Sequence, residues 1–178
     1  MNKQFKVSVR RFLNLLLISF SVTSYANIEA TFDGKAAKLN LVVSNTDLSR
    51  KRGLMNQASL EKDSGMIFIW PSAKKQCMWM KNTSLPLSVA YMTTNGRILE
   101  IYDMVPFSED SICSNQQVRI ALEVNQGWFA KNKIGVGDKI NLMSTAFIST
   151  PLGGMPKQEV FQIAAIFDSG FYEFDQKY

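Results

Sequence analysis

The feature that most constrains this chain is its punctuation: short apolar runs separated by tight turns, with no long helical period. Asp33-Gly34 and Asn95-Gly96 are the turn dipeptides of two-residue hairpins, where the glycine supplies the positive φ such turns need. Ile28, Ala30 and Phe32 alternate with polar residues before the first turn, and Leu39, Leu41 and Val43 resume the alternation after it. Val89-Ala90-Tyr91-Met92 and Arg97 to Tyr102 flank the second turn. Gly65 opens the unbroken apolar run Met66 to Trp70, which suits a strand buried on both faces, with Pro71 as its expected stop. Cys77 to Met80, Val118 to Val124 and Lys139 to Met143 also read as strands. Only two stretches read as short helices. One is Asp47 to Gln57, behind the capping residues Ser44-Asn45-Thr46; the other is Gln126 to Lys131, with Asn125 as its expected cap. The fold expected is mainly β, a compact antiparallel barrel or sandwich with one or two short helices.

The first 26 residues stand apart. Lys3, Lys6, Arg10 and Arg11 precede the apolar run Phe12 to Phe20, and the stretch closes on Ser24-Tyr25-Ala26. A basic start, an apolar centre and small residues at the cleavage positions define a secretory signal, and the run is shorter than the roughly 20 residues a membrane span needs. Residues 1–26 are therefore read as a signal peptide, cleaved near Ala26, which places the product in the periplasm or outside the cell. No later run is long enough to span a bilayer. Of the chain's 20 basic residues those four fall in the signal, leaving 16 against 15 acids, too even a balance to attract nucleic acid.

Residues 27–143 then form the β domain. Residues 144–178 are an extension, read as one extra strand (Val160 to Phe167, after a break at Pro151 to Pro156) followed by an aromatic, acidic tail from Phe171 to Tyr178. In an oxidising compartment the chain's two cysteines, Cys77 and Cys113, read as a disulfide. They lack the Cys-x-x-Cys spacing of a redox pair.

The chain contains no histidine. Histidine-dependent nucleophiles and His-bearing zinc sites are thereby excluded. Met66, Met78, Met80 and Met92 lie inside apolar runs, where methionine fills core gaps rather than binding copper, so no metal and no cofactor is expected.

Five blocks occur in a fixed order: Arg52-Gly53-Leu54-Met55; Gly65-Met66-Ile67-Phe68; Trp79-Met80-Lys81-Asn82-Thr83 with Leu85-Pro86-Leu87; Ala121-Leu122-Glu123-Val124 with Gly127; and Gly137-Asp138. With them the chain resembles the domain of unknown function 192 family, uncharacterised proteins of bacteria and archaea, over about residues 30–143. The resemblance implies a small, mainly β domain, often exported, with no established activity. Ser88 stands where the family favours an aspartate, and the tail lies outside the family pattern.

The string Trp79 to Thr83 admits two readings. As a strand it would place Trp79, Lys81 and Thr83 on one face, and an indole beside an ammonium and short polar groups suits a sugar-like or small anionic ligand. In the blander and preferred reading Trp79 fills the core, Asn82 caps a turn and Lys81 lays its stem over apolar surface. Arg52 before Gly53 reads first as part of a helix end, with a carboxylate ligand as its alternative partner. The candidate ligand residues are thus Trp79, Lys81, Asn82, Thr83, Arg52 and Glu123, with no catalytic residue assigned. The function expected is a non-catalytic small-ligand-binding or accessory envelope domain. Its alternatives are a carboxylate-based hydrolase of an envelope glycan, drawing on Glu100, Asp103, Glu109, Asp110, Glu123 or Asp138, and a structural protein-interaction module.

Overall fold

The computed structural model describes residues 27–150 and 153–161, with side chains placed for residues 28–143. The signal reading and the aromatic tail lie outside the described residues. Ten strands and two short helices follow in the order β1 (Asn27–Phe32), β2 (Lys38–Ser44), α1 (Asp47–Arg52), β3 (Ser64–Lys74), β4 (Cys77–Met78), β5 (Leu87–Met92), β6 (Ile98–Met104), β7 (Ile112–Cys113), β8 (Val118–Asn125), α2 (Trp128–Lys131), β9 (Ile140–Thr150) and β10 (Gly153–Phe161). Eight strands form one sheet in the order β10-β9-β1-β2-β3-β8-β5-β6, which curls into a half-barrel, while β4 and β7 make a separate two-stranded ribbon. The mainly β expectation holds.

Both hairpins form where their turns stand: β1 pairs with β2 across Gly34, at φ 68°, and β5 with β6 across Gly96, at φ 83°. The sheet is not wholly antiparallel. β2 and β3 run parallel, with Leu41 opposite Gly65 and Val43 opposite Ile67, because α1 and the turn after it carry the chain back to the starting edge. Across the open side of the curl the starts of β6 and β9 approach through a bridge, Arg97 to Lys139, with Ile140 N–H donating to the Gly96 carbonyl at 3.0 Å.

Two apolar clusters lie on opposite faces of the central strands. Inside the curl, Ala30, Leu39, Leu41, Ile67, Ile69, Ala90, Met92, Ile120 and Leu122 pack around Trp128 and Phe129 of α2. On the outer face, Phe68, Met78, Met80, Leu87, Val89, Tyr91 and Ala121 pack beneath α1 and the β4–β7 ribbon. β3, β8 and β5 are therefore buried on both sides, which is why their sequences run apolar without alternation.

Local expectations fail in five places. The helix stops at Arg52, where Gly53 takes φ 47°, rather than running to Gln57. β3 continues through Pro71 to Lys74, a register shift after Ile69 accommodating the missing donor. α2 is capped by Gly127, while the Asn125 amide donates to the Leu60 and Glu61 carbonyls instead. β10 begins at Gly153, inside the expected break, and pairs with β9 as an added edge strand. The fourth strand ends at Met78, which changes the reading of the residues that follow it. Methionines 78, 80 and 92 are buried and Met66 is half-buried against the outer cluster, as core residues.

Candidate functional site

Three segments converge over the outer cluster. The first is the end of α1. Thr46 and Ser49 cap its start reciprocally, Thr46 Oγ1 accepting from Ser49 N–H at 3.1 Å and Ser49 Oγ from Thr46 N–H at 3.0 Å. Arg50 anchors the helix to the sheet by donating to the Ile69 carbonyl at 2.8 Å and to the Asn45 carbonyl, with an ion pair to Asp47. Gly53 then turns the chain tightly over the Phe68 ring, which a Cβ would meet at 3.4 Å.

The second segment is Trp79 to Thr83. It is not a strand: Thr83 N–H donates to the Met80 carbonyl at 3.0 Å, closing a turn in which Asn82 takes φ 53°. Met80 and Thr83 point inward and are buried, whereas Trp79 keeps 45% of its surface exposed. The core-filling expectation for Trp79 is thereby overturned, since β4 ends one residue before it and leaves the indole on the rim. Lys81 lies over the Trp79 ring at 5.4 Å and pairs with Glu109 at 3.3 Å. A bond from Asn56 N–H to the Asn82 carbonyl, 2.9 Å, ties this turn to the end of α1.

The third element is β8. Ile120, Leu122 and Val124 face the inner cluster, so Glu123 faces the outer one, opposite Met66 on β3 and Val89 on β5. Glu123 is 3% exposed, and among the described residues nothing hydrogen-bonds or ion-pairs with its carboxyl. Burial pushes its pKa up to about 8, so the carboxyl is neutral at pH 7 and holds an O–H to donate.

Arg50, Lys51, Arg52, Trp79, Thr83 and Glu123 line one narrow cleft whose enclosed space is about 20 Å³, room for a single water. Four of the six candidate ligand residues meet there: Arg52, Trp79, Thr83 and Glu123. The other two, Lys81 and Asn82, do not line it. Arg50 and Lys51 were not singled out in sequence, although the basic run Arg50-Lys51-Arg52 before a turn glycine was the available signal. A larger hollow, about 430 Å³, lies elsewhere among residues of both charges, including half-buried Glu29 and exposed Lys38, Lys62 and Asp63.

Glu123 is the one carboxyl on the cleft's lining. Glu100 is desolvated, yet hydrogen bonds from Tyr102, Asn115 and Gln116 hold its pKa below the usual value. Asp103 accepts from Ser88 Oγ at 2.5 Å, so an acid still meets the Ser88 position from the neighbouring strand. Glu109 pairs with Lys81 and Asp138 with Lys35, while Asp110 is exposed on a loop. No second acid faces Glu123 across the cleft.

The position of Trp79 yields a direct expectation. Trp79→Ala should cost under about 1 kcal/mol in a urea melt, against the roughly 3–5 kcal/mol of a core tryptophan. A larger loss would return the indole to the core.

A family model described as an uncharacterized ACR, DUF192, matches residues 28–142. A solved structure of a protein provisionally described as a transcription regulator, from Sinorhizobium meliloti 1021, is 31% identical, covers 67% of this chain and 95% of its own, and superposes with a TM-score of 0.65. A protein of unknown function from Novosphingobium aromaticivorans DSM 12444 is 26% identical, with coverage of 67% and 88% and a TM-score of 0.63. No curated protein matches the chain.

Proposed function

The chain belongs to the DUF192 family, and from that premise and the cleft's chemistry we propose that it is an exported, non-catalytic binding domain for a small anionic ligand. The observation that carries this is Glu123, a buried and unpartnered acid that is neutral at pH 7, placed beside Arg52, Lys51 and the Trp79 indole. A neutral carboxyl donates one hydrogen bond to a ligand oxygen without repelling its charge, while the guanidinium and ammonium groups take up that charge. The enclosed space is too small for more than a water, so the ligand sits at the mouth and sends one oxygen inward. A two-carboxylate hydrolase is less well supported, because its mechanism needs a second acid across the cleft. The regulator description belongs to the relative from S. meliloti, and this chain's near-even charge beyond residue 26 does not favour nucleic acid.

Export is supported by the basic-then-apolar start and by the Cys77–Cys113 disulfide. Among the described residues no helix is long and apolar enough to cross a membrane.

The test is a thermal-shift and calorimetric screen of small carboxylates and envelope sugars. At least one anion should stabilise the wild-type protein, and Arg52→Ala should weaken its binding by roughly 1.5–3 kcal/mol, the size of a charge-assisted contact. Lys81→Ala, outside the cleft, should leave that affinity unchanged. If no anion stabilises the protein, or if Lys81→Ala and Arg52→Ala weaken it equally, the assignment fails.

A further inference from the structure

We propose a second ligand site on the other side of the Arg52 turn, sharing Arg52 with the Glu123 cleft and built for a small aromatic or aliphatic carboxylate with a hydroxyl at its far end. On the outer face of β2 and β3, Val42 and Met66 lie opposite each other in register and form the floor of a groove. Leu54 and Leu60 supply apolar walls, and the groove as a whole offers about 240 Å³. That volume suits a ligand of ring size and is far larger than the space beside Glu123.

Two polar groups fix what such a ligand must carry. Ser44 lines the groove and is 1% exposed, and its buried Oγ lacks a hydrogen-bond partner among the described residues. A buried hydroxyl left unpaired is costly, so an arrangement that retains one beside an open apolar groove calls for a polar partner arriving from the groove. Arg52 stands at the exposed end and supplies a permanent positive charge, which a carboxylate would meet. Apolar walls, an inner hydroxyl and an outer guanidinium together select a ligand that is apolar along its length, bears a hydroxyl at one end and an anion at the other. The inner hydroxyl sets this ligand apart from the small anion proposed for the Glu123 cleft.

The probes are 4-hydroxyphenylacetate and phenylacetate, titrated into the protein with amide chemical shifts as readout. The hydroxylated probe should bind saturably, with shifts at Val42, Ser44 and Leu60, and at least about ten-fold more tightly than phenylacetate. Ser44→Ala should abolish that preference while raising the melting temperature of the ligand-free protein, because it removes the unpaired hydroxyl. Ser59→Trp, an exposed position on the groove's lip, should block both probes, and Glu123→Gln should leave both unaffected. Absence of saturable binding, equal affinity for the two probes, an unchanged preference in Ser44→Ala, or shifts confined to Trp79 and Thr83 would each overturn the proposal. A loss on Glu123→Gln would instead assign the binding to the neighbouring cleft.

Discussion

Wild-type protein should lose stability steadily from pH 5 to pH 9, and Glu123→Gln should remove most of that loss. Glu123 has its pKa raised from 4.5 to about 8 by burial, so between those two pH values the folded protein holds a proton that the unfolded chain has released. The stabilisation from the neutral carboxyl is complete below about pH 4.5 and is lost as pH rises through about 8. A shift of that size corresponds to roughly 4–5 kcal/mol by pH 9. Glutamine resembles the neutral acid in shape and cannot ionise, so the variant should match the wild type at pH 5 and exceed it at pH 9. Urea melts at pH 5, 7 and 9 give the comparison. Parallel pH curves for the two proteins would show that Glu123 is solvated or paired, and the cleft would lose its central feature.

Loss of the Cys77–Cys113 bridge should cost nearly as much. The two cysteines face each other in the ribbon of β4 and β7, each only two residues long, and close a loop of 36 residues. Freeing that loop in the unfolded chain costs about 3–4 kcal/mol in the entropic model. Other ties include Ser114 N–H donating to the Gln76 carbonyl at 2.9 Å, the buried Tyr91 hydroxyl donating to the Ile112 carbonyl at 2.5 Å, and the Asn115 N–H donating to the Glu100 carboxylate at 3.0 Å. Burial raises the Tyr91 pKa, which keeps that hydroxyl a donor across the accessible pH range. With a urea slope near 2 kcal/mol per M, Cys77→Ser with Cys113→Ser should lower the unfolding midpoint by roughly 1.5–2 M. Coincident unfolding curves for oxidised and reduced protein would show that the ribbon holds without its bridge.

What was legible in the sequence was local. Both hairpins follow from a turn dipeptide between alternating segments, and the cysteine pair follows from its number and from the expected compartment. The cleft was legible only as a set of separate residues. Strand register sets Glu123 opposite Met66 and Gly65 opposite Val124, beneath the end of α1 and the Trp79 turn, and register over such separations leaves no local trace. The same holds for the parallel pairing of β2 with β3. Trp79 departs from its expected core position for a different reason. Apolar residues at 77–80 look like a strand, but the left-handed conformation of Asn82 and the bond from Thr83 to Met80 fold the string into a turn. An asparagine tolerates that conformation better than most residues, so the signal was present but outweighed by the apolar run.

The place of β1 in the sheet governs when this domain can be finished. It lies between β2 and β9, so the first described strand stays half-paired until residues 140–150 arrive to complete it. Pairing across so long a separation is slow to form, because the loop must close before its contacts return any stabilisation. During synthesis the ribosome must pass β9 before this sheet can close. The order of strands thus acts as a timer, delaying the native state until nearly all of the domain has been made.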